Sequence, residues 1–146
     1  MSVLIRSAAL TNFETVADAC RLDARALVAE VGLPGRCLAE PDLLLPAGQV
    51  SALLELAATR GREPAFGLRM AMSRRLSNLG PLGLLLRDQP TLRQALDTLA
   101  THIHRHNEAL SVSVVETGGF VAIREETVLA RHVPVRQAVE MGMGTT

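Results

Sequence analysis

FGLRMAMSRRLSNLGPLGLLLRDQPTLRQALDTLATHIHRHNEAL, residues 66–110, decides how this chain folds. Pro64 suits the first turn of a helix over Ala65–Arg75, because its missing N–H is an orphan there anyway. Leu79-Gly80-Pro81-Leu82-Gly83-Leu84-Leu85-Leu86 is apolar almost all round, which predicts a short, fully buried helix. Asp88–Pro90 breaks it, since the residue before a proline is steered away from helical angles. Thr91 with Gln94 forms a capping box, and the helix it opens runs to about His106 with Leu92, Leu96, Leu99 and Ile103 as its inward stripe. Leu110-Ser111-Val112-Ser113-Val114 then alternates with period two, as a strand with one buried face does. Gly118-Gly119 supplies the positive φ angles of a two-residue turn, and Phe120–Glu125 returns as its partner strand.

Upstream of this stretch the chain reads as helical. Thr11 and Glu14 spell a capping box for a first helix through Val16, Ala17 and Cys20. Asp23 caps a second, with Ala26, Leu27, Ala29 and Val31 inward and Gly32 and Pro34 ending it. Glu40–Pro46 reads as a loop, and Ala47–Arg60 as an amphipathic helix stopped by Gly61. A lone hairpin is marginal, so the one after Leu110 needs the helices or another strand, for which Val3–Arg6 is available. Pro134 onward opens a last helix. The expected fold is α+β, mainly helical with a small antiparallel sheet.

Composition narrows the function. At 146 residues one domain is expected. Fifteen basic residues, all Arg, balance fifteen acidic ones, so the chain lacks the positive footprint that phosphate-backbone binding requires. Phe13, Phe66 and Phe120 are the only aromatics, too few to build a stacking platform for single strands. The N-terminus has no signal-peptide core, and no apolar run approaches the roughly 20 residues of a membrane span. Cys20 and Cys37 form no CxxC pair and read as reduced thiols. A soluble cytoplasmic protein without a membrane partner is expected.

The order and wording of several pieces carry a family resemblance. They are Ala26–Pro34, the helix entry over Pro46–Ala58, Phe66-Gly67-Leu68-Arg69, Leu79–Gly83, Pro90–Leu96 and Arg136-Gln137-Ala138-Val139-Glu140. Together they resemble the N-terminal regulatory domain of one branch of AraC-type transcription regulators, whose sensor is labelled arabinose-binding-like. The resemblance implies a domain that binds a small effector and forms a homodimer, with DNA bound by a separate C-terminal domain carrying two helix-turn-helix units. That half is absent here, so residues 1–146 are expected to form a single sensor and dimerisation domain, cut short before its DNA-binding partner. The resemblance supplies no ligand motif and names no effector.

Candidate chemistry is sparse. His102 and His106 are four apart, which lets two rings share a metal on one helix face, but HExxH requires Glu where Ile103 stands and no third ligand is locally spaced. A polar helix end, where histidines suit the negative end of the dipole, accounts for them as well. Ala17–Pro34 has helix-turn-helix proportions, yet its second helix offers only Arg25 and Glu30 among alanines and valines, which favours a structural hairpin. Arg69, Arg74 and Arg75 could clamp an anion; a solvated helix face is the commoner outcome for such a run. No nucleophile triad or phosphate-cradling loop is present, so no catalytic residue, cofactor or enzyme activity is expected.

Adjacency of apolar wall and ionisable groups places an effector pocket between the Leu79–Leu86 segment, the Thr91–His106 helix and the hairpin. Phe66, Leu82, Leu86, His102 and His106 would line it, with Arg124 available to a carboxylate. The competing reading is a solid core there. For the whole chain the rivals are a dimerisation module with no small ligand and a metal-binding protein using His102 and His106.

Overall fold

The computed structural model describes residues 2–146. In chain order the elements are β1 (Leu4–Arg6), α1 (Phe13–Ala19), α2 (Ala24–Glu30), β2 (Leu44–Pro46), α3 (Ala47–Arg60), α4 (Phe66–Met72), α5 (Pro81–Arg87), α6 (Leu92–His102), β3 (Leu110–Thr117), β4 (Phe120–Thr127) and α7 (Arg136–Thr145). Short 3-10 turns sit at Ser7–Leu10, Gly35–Leu38, Leu76–Leu79 and Ile103–Arg105. The domain is α+β and mainly helical, with two small antiparallel two-stranded sheets, β1–β2 and β3–β4.

Local chemistry explains most boundaries. Asp23 accepts from the Ala26 N–H, Thr91 accepts from the Gln94 N–H, and both satisfy orphan donors of a first turn. Gly118 and Gly119 have φ of 58° and 82°, the paired positive angles that let β3 turn into β4 in two residues.

Several expectations are corrected by long-range contacts. The Thr11–Glu14 capping box does not form: the Thr11 hydroxyl donates to Ala8 O at 2.8 Å, completing the preceding 3-10 turn, and Asn12 begins α1. The inner face of α2 is Ala24, Leu27 and Val28, with Ala26 and Ala29 outside. Glu40–Pro46 is not all loop, because β2 at its end pairs with β1. The N-terminal strand therefore goes to β2 and not to the hairpin, although Ile5 bridges Asn107 just before β3. α4 stops at Met72, where Arg74 turns back onto the Ala8 and Ala9 carbonyls. α5 buries Leu82, Gly83 and Leu86 but leaves Leu84 (56%) and Leu85 (49%) exposed. Leu92 is 76% exposed and drops out of the α6 stripe.

Packing divides the interior into two clusters. The larger joins α1–α4, β1 and β2 around Phe13, Leu53, Leu54, Phe66 and Met70, and includes Met141 of α7. The smaller joins α5, the end of α6 and β3 through Leu82, Leu86, Ile103 and Val112. α7 is fastened to the larger cluster by Gln137, which is 2% exposed. Its Oε1 accepts from the Gly67 N–H at 2.7 Å, an orphan donor in the first turn of α4, and its Nε2 donates to Pro64 O at 2.9 Å. The Gln137 N–H in turn donates to Glu55 Oε1 of α3 at 2.7 Å.

Candidate functional site

A cavity of about 280 Å³ lies where the two clusters meet. α5 supplies Leu86, α6 supplies Leu96 and Leu99, β3 supplies Val112, and α7 closes one side with Met141. Polar groups are few: the side chains of Arg74, His106 and Asn107, and Thr145 and Thr146 at the end of α7, and no Asp or Glu lines the space. An apolar wall with a small number of converging polar groups is the usual composition of a small-molecule site.

Arg74 follows Met70 by four residues, so it continues the buried face of α4 past the end of the helix. Its Nη1 donates to Ala8 O at 3.3 Å and its Nη2 to Ala9 O, which clips the 3-10 turn after β1. Nη2 also lies 3.7 Å from Met141 Sδ on α7, a weak acceptor. Nε is buried and has no partner. None of the ion pairs among the described residues includes Arg74. Burial lowers its pKa to about 10, which still leaves it cationic at neutral pH.

His106 is buried beside it. Its Nδ1 lies 3.0 Å from Arg6 Nη1, and since a guanidinium only donates, Nδ1 accepts and the ring proton sits on Nε2. Arg6 is itself ion-paired with Asp42. Burial, and then the positive charges of Arg6 and Arg74, push the His106 pKa down to about 4, so the ring is a neutral donor at neutral pH.

The residues singled out from the sequence divide. Leu86 and His106 line the cavity. Leu82 and His102 line a separate groove with Arg6 and Pro81, which His106 also borders. Phe66 lines neither: it is fully buried in the larger cluster, with its ring 5.7 Å from that of Phe13. Arg124 pairs across the hairpin with Ser113, on the face opposite Val112, and its guanidinium bonds Glu126 at 2.9 Å. Of Arg69, Arg74 and Arg75, for which an anion clamp and a solvated face are both open from the sequence, Arg74 alone lines the cavity. Only Arg75 of the three is plainly exposed, while Arg69 is partly buried and pairs with Glu63 at 2.9 Å. Leu96 and Leu99, expected as an inward stripe of α6, and Met141 of the last expected helix line the cavity as well.

A family model described as the arabinose-binding domain of AraC transcription regulators, N-terminal, matches residues 22–146. The chain belongs to this family. No curated protein matches it. The AraC-regulator domain is thus part of a family of regulatory ligand-binding domains and not of an enzyme family. The match spans every helix from α2 onward and all the cavity's lining except Ile5 and Ala9, and so includes Arg74, His106 and α7. Among its described residues no helix is long and apolar enough to cross a membrane, and no group of three or more His, Cys, Asp or Glu is placed to hold a metal ion.

Proposed function

We propose that this domain is the effector-sensing and dimerising part of an AraC-type regulator, acting in the cytoplasm and reaching DNA only through a separate C-terminal DNA-binding domain. The observation that carries the reading is the cavity's wall: it is shared between the α5–α6–β3 unit and α7, which docks on the larger cluster. A ligand there touches Met141 directly and favours one seating of α7 over another, which is a population shift with a defined output element. A thermal-shift screen with amino acids, sugars and organic acids tests it. A ligand at a hundredfold excess over Kd should raise Tm by roughly 5–10 °C, and Leu96→Trp, which fills the cavity, should abolish the rise. A uniformly flat screen favours the rival, a dimerisation module with no small ligand.

α5 supports the dimerisation half of the proposal. Its apolar run is nearly continuous, yet Leu84 and Leu85 face solvent, and a helix apolar on all sides is expected to be covered on all sides. Sedimentation velocity at micromolar protein should show a dimer for the wild type and a monomer for Leu84→Glu/Leu85→Glu. A double variant that sediments like the wild type removes α5 from the interface.

A further inference from the structure

We infer that the cavity takes an amphipathic monocarboxylate of about ten non-hydrogen atoms, its carboxylate on Arg74 and His106 and its apolar body against Leu86, Leu96, Leu99 and Val112. The inference rests on the effector reading above and narrows it to a chemical class.

Three observations converge on it. The first is charge. Guanidinium groups drawn out of water are almost always paired with a carboxylate or phosphate; Arg74 is partly buried, its Nε fully so, and has none. The carbonyls of Ala8 and Ala9 account for two of its five N–H groups, which makes it a structural clip as well, but they leave Nε without an acceptor. The wall thus brings together an Arg74 charge without a counter-ion and the Nε2–H of neutral His106, with no acidic side chain beside them. A carboxylate supplies acceptors on two oxygens and the missing charge at once.

The second observation is the rest of the lining. Away from Arg74, His106, Asn107 and the threonines at the end of α7, the wall is built of leucine, isoleucine, valine, alanine and methionine, with Gly142. A pentose, with a hydroxyl on nearly every carbon, would leave most of its polar groups unpaired against such a wall. An inorganic anion would leave the apolar wall unused. Volume sets the size: 280 Å³ holds about nine groups of water size at ~30 Å³ each.

The third is the position of Met141. Its sulfur is the weakest of the three acceptors around Arg74, and it sits on α7. A carboxylate that replaces the sulfur removes the contact between Arg74 and α7. Anion binding and α7 seating are thereby linked through one side chain.

Octanoate and 1-octanol are the probes, matched in chain length and differing in head group. Isothermal titration at pH 7 should show octanoate binding at least tenfold more tightly than 1-octanol to the wild-type chain, with Leu96→Trp weakening both. Arg74→Met should bring the ratio to about one while 1-octanol binding persists, which shows the cavity intact. Arg74→Lys, which keeps the charge, should retain a preference for octanoate. Equal binding of both probes by the wild type, or an undiminished preference in Arg74→Met, overturns the carboxylate assignment and leaves the effector cavity standing. Binding of neither probe overturns the effector cavity itself. Should Arg74→Met not fold, the wild-type and Arg74→Lys ratios decide, and a Lys variant with no preference counts against the assignment.

Discussion

Gly67→Ala is expected to lower the stability of the domain by about 3–5 kcal/mol. A Cβ at Gly67 would stand 2.1 Å from Gln137 O and 2.9 Å from its carbonyl carbon, both backbone atoms that cannot rotate away. Helix propensity alone predicts the opposite sign, since Ala is favoured over Gly inside a helix by about 1 kcal/mol. The clash wins because relieving it requires α7 to move off α4. That movement strains or breaks the Gly67 N–H bond to Gln137 Oε1 and the Gln137 Nε2 bond to Pro64 O, and unsatisfied buried polar groups cost about 1–3 kcal/mol. Urea denaturation reads the effect, with Gly35→Ala as the control, because nothing lies within 4 Å of a Cβ there and its φ is not positive. A Gly67→Ala midpoint equal to that of Gly35→Ala would show that the α4–α7 contact is looser than described. The same variant is expected to enlarge the cavity's α7 side, since Met141 lies one turn beyond Gln137 on the undocked helix.

Stability should also fall as pH drops from about 6.5 toward 4, and His106 should account for roughly 2–3 kcal/mol of that fall. In the unfolded chain the ring takes up a proton near pH 6.5, whereas in the folded domain it does so only near pH 4. Between those values the unfolded state binds more protons, so the free energy of unfolding rises with pH across the window and the contribution is complete above it. The cause is burial first, with Arg6 and Arg74 adding repulsion toward an imidazolium. Carboxylates also titrate at the lower end of this range, so the informative quantity is the difference between wild type and His106→Gln, whose side-chain oxygen can still accept from Arg6. Thermal melts every half unit from pH 7.5 to 4 should give a difference curve that slopes between 6.5 and 4 and is flat above. Parallel curves throughout would mean that His106 is solvated and titrates as a free histidine does.

Much of the candidate site follows from local rules, and the failures have local explanations too. The proline-defined break at Asp88–Pro90 and the Thr91 cap bring α5 and α6 together beside β3, which is why Leu86 and His106 fall at the cavity. Arg124 was open to a better reading. A two-residue turn at Gly118-Gly119 sets the register that opposes Arg124 to Ser113, and Ser113 lies on the outward side of an alternation whose inward member is Val112. Arg74 had a signal as well, since it stands four residues after Met70 and shares its face, unlike Arg69 and Arg75. Phe66 had none: that its ring meets Phe13 and not the cavity depends on how α1 docks on α4 across more than fifty residues of chain. Nor did Gln137, whose two amide contacts reach back seventy residues.

By itself the sequence determined the order of the helices and the β3–β4 hairpin, because caps, prolines, the paired glycines and hydrophobic period act within a few residues, whereas β2, the end of α4 and the start of α1 depended on distant partners. Its ordered motifs also carried the resemblance to AraC-type sensors that the family match bears out over residues 22–146. Only the tertiary structure decided that the interior is two clusters with a cavity between them, and that α5 keeps one apolar side uncovered. It also decided that Arg74, one arginine among fifteen, lies partly buried at that junction without a counter-charge. The physical reason is the same in each case. A cavity is space left between surfaces that come from distant parts of the chain, and an arginine's desolvation depends on what those surfaces bring around it.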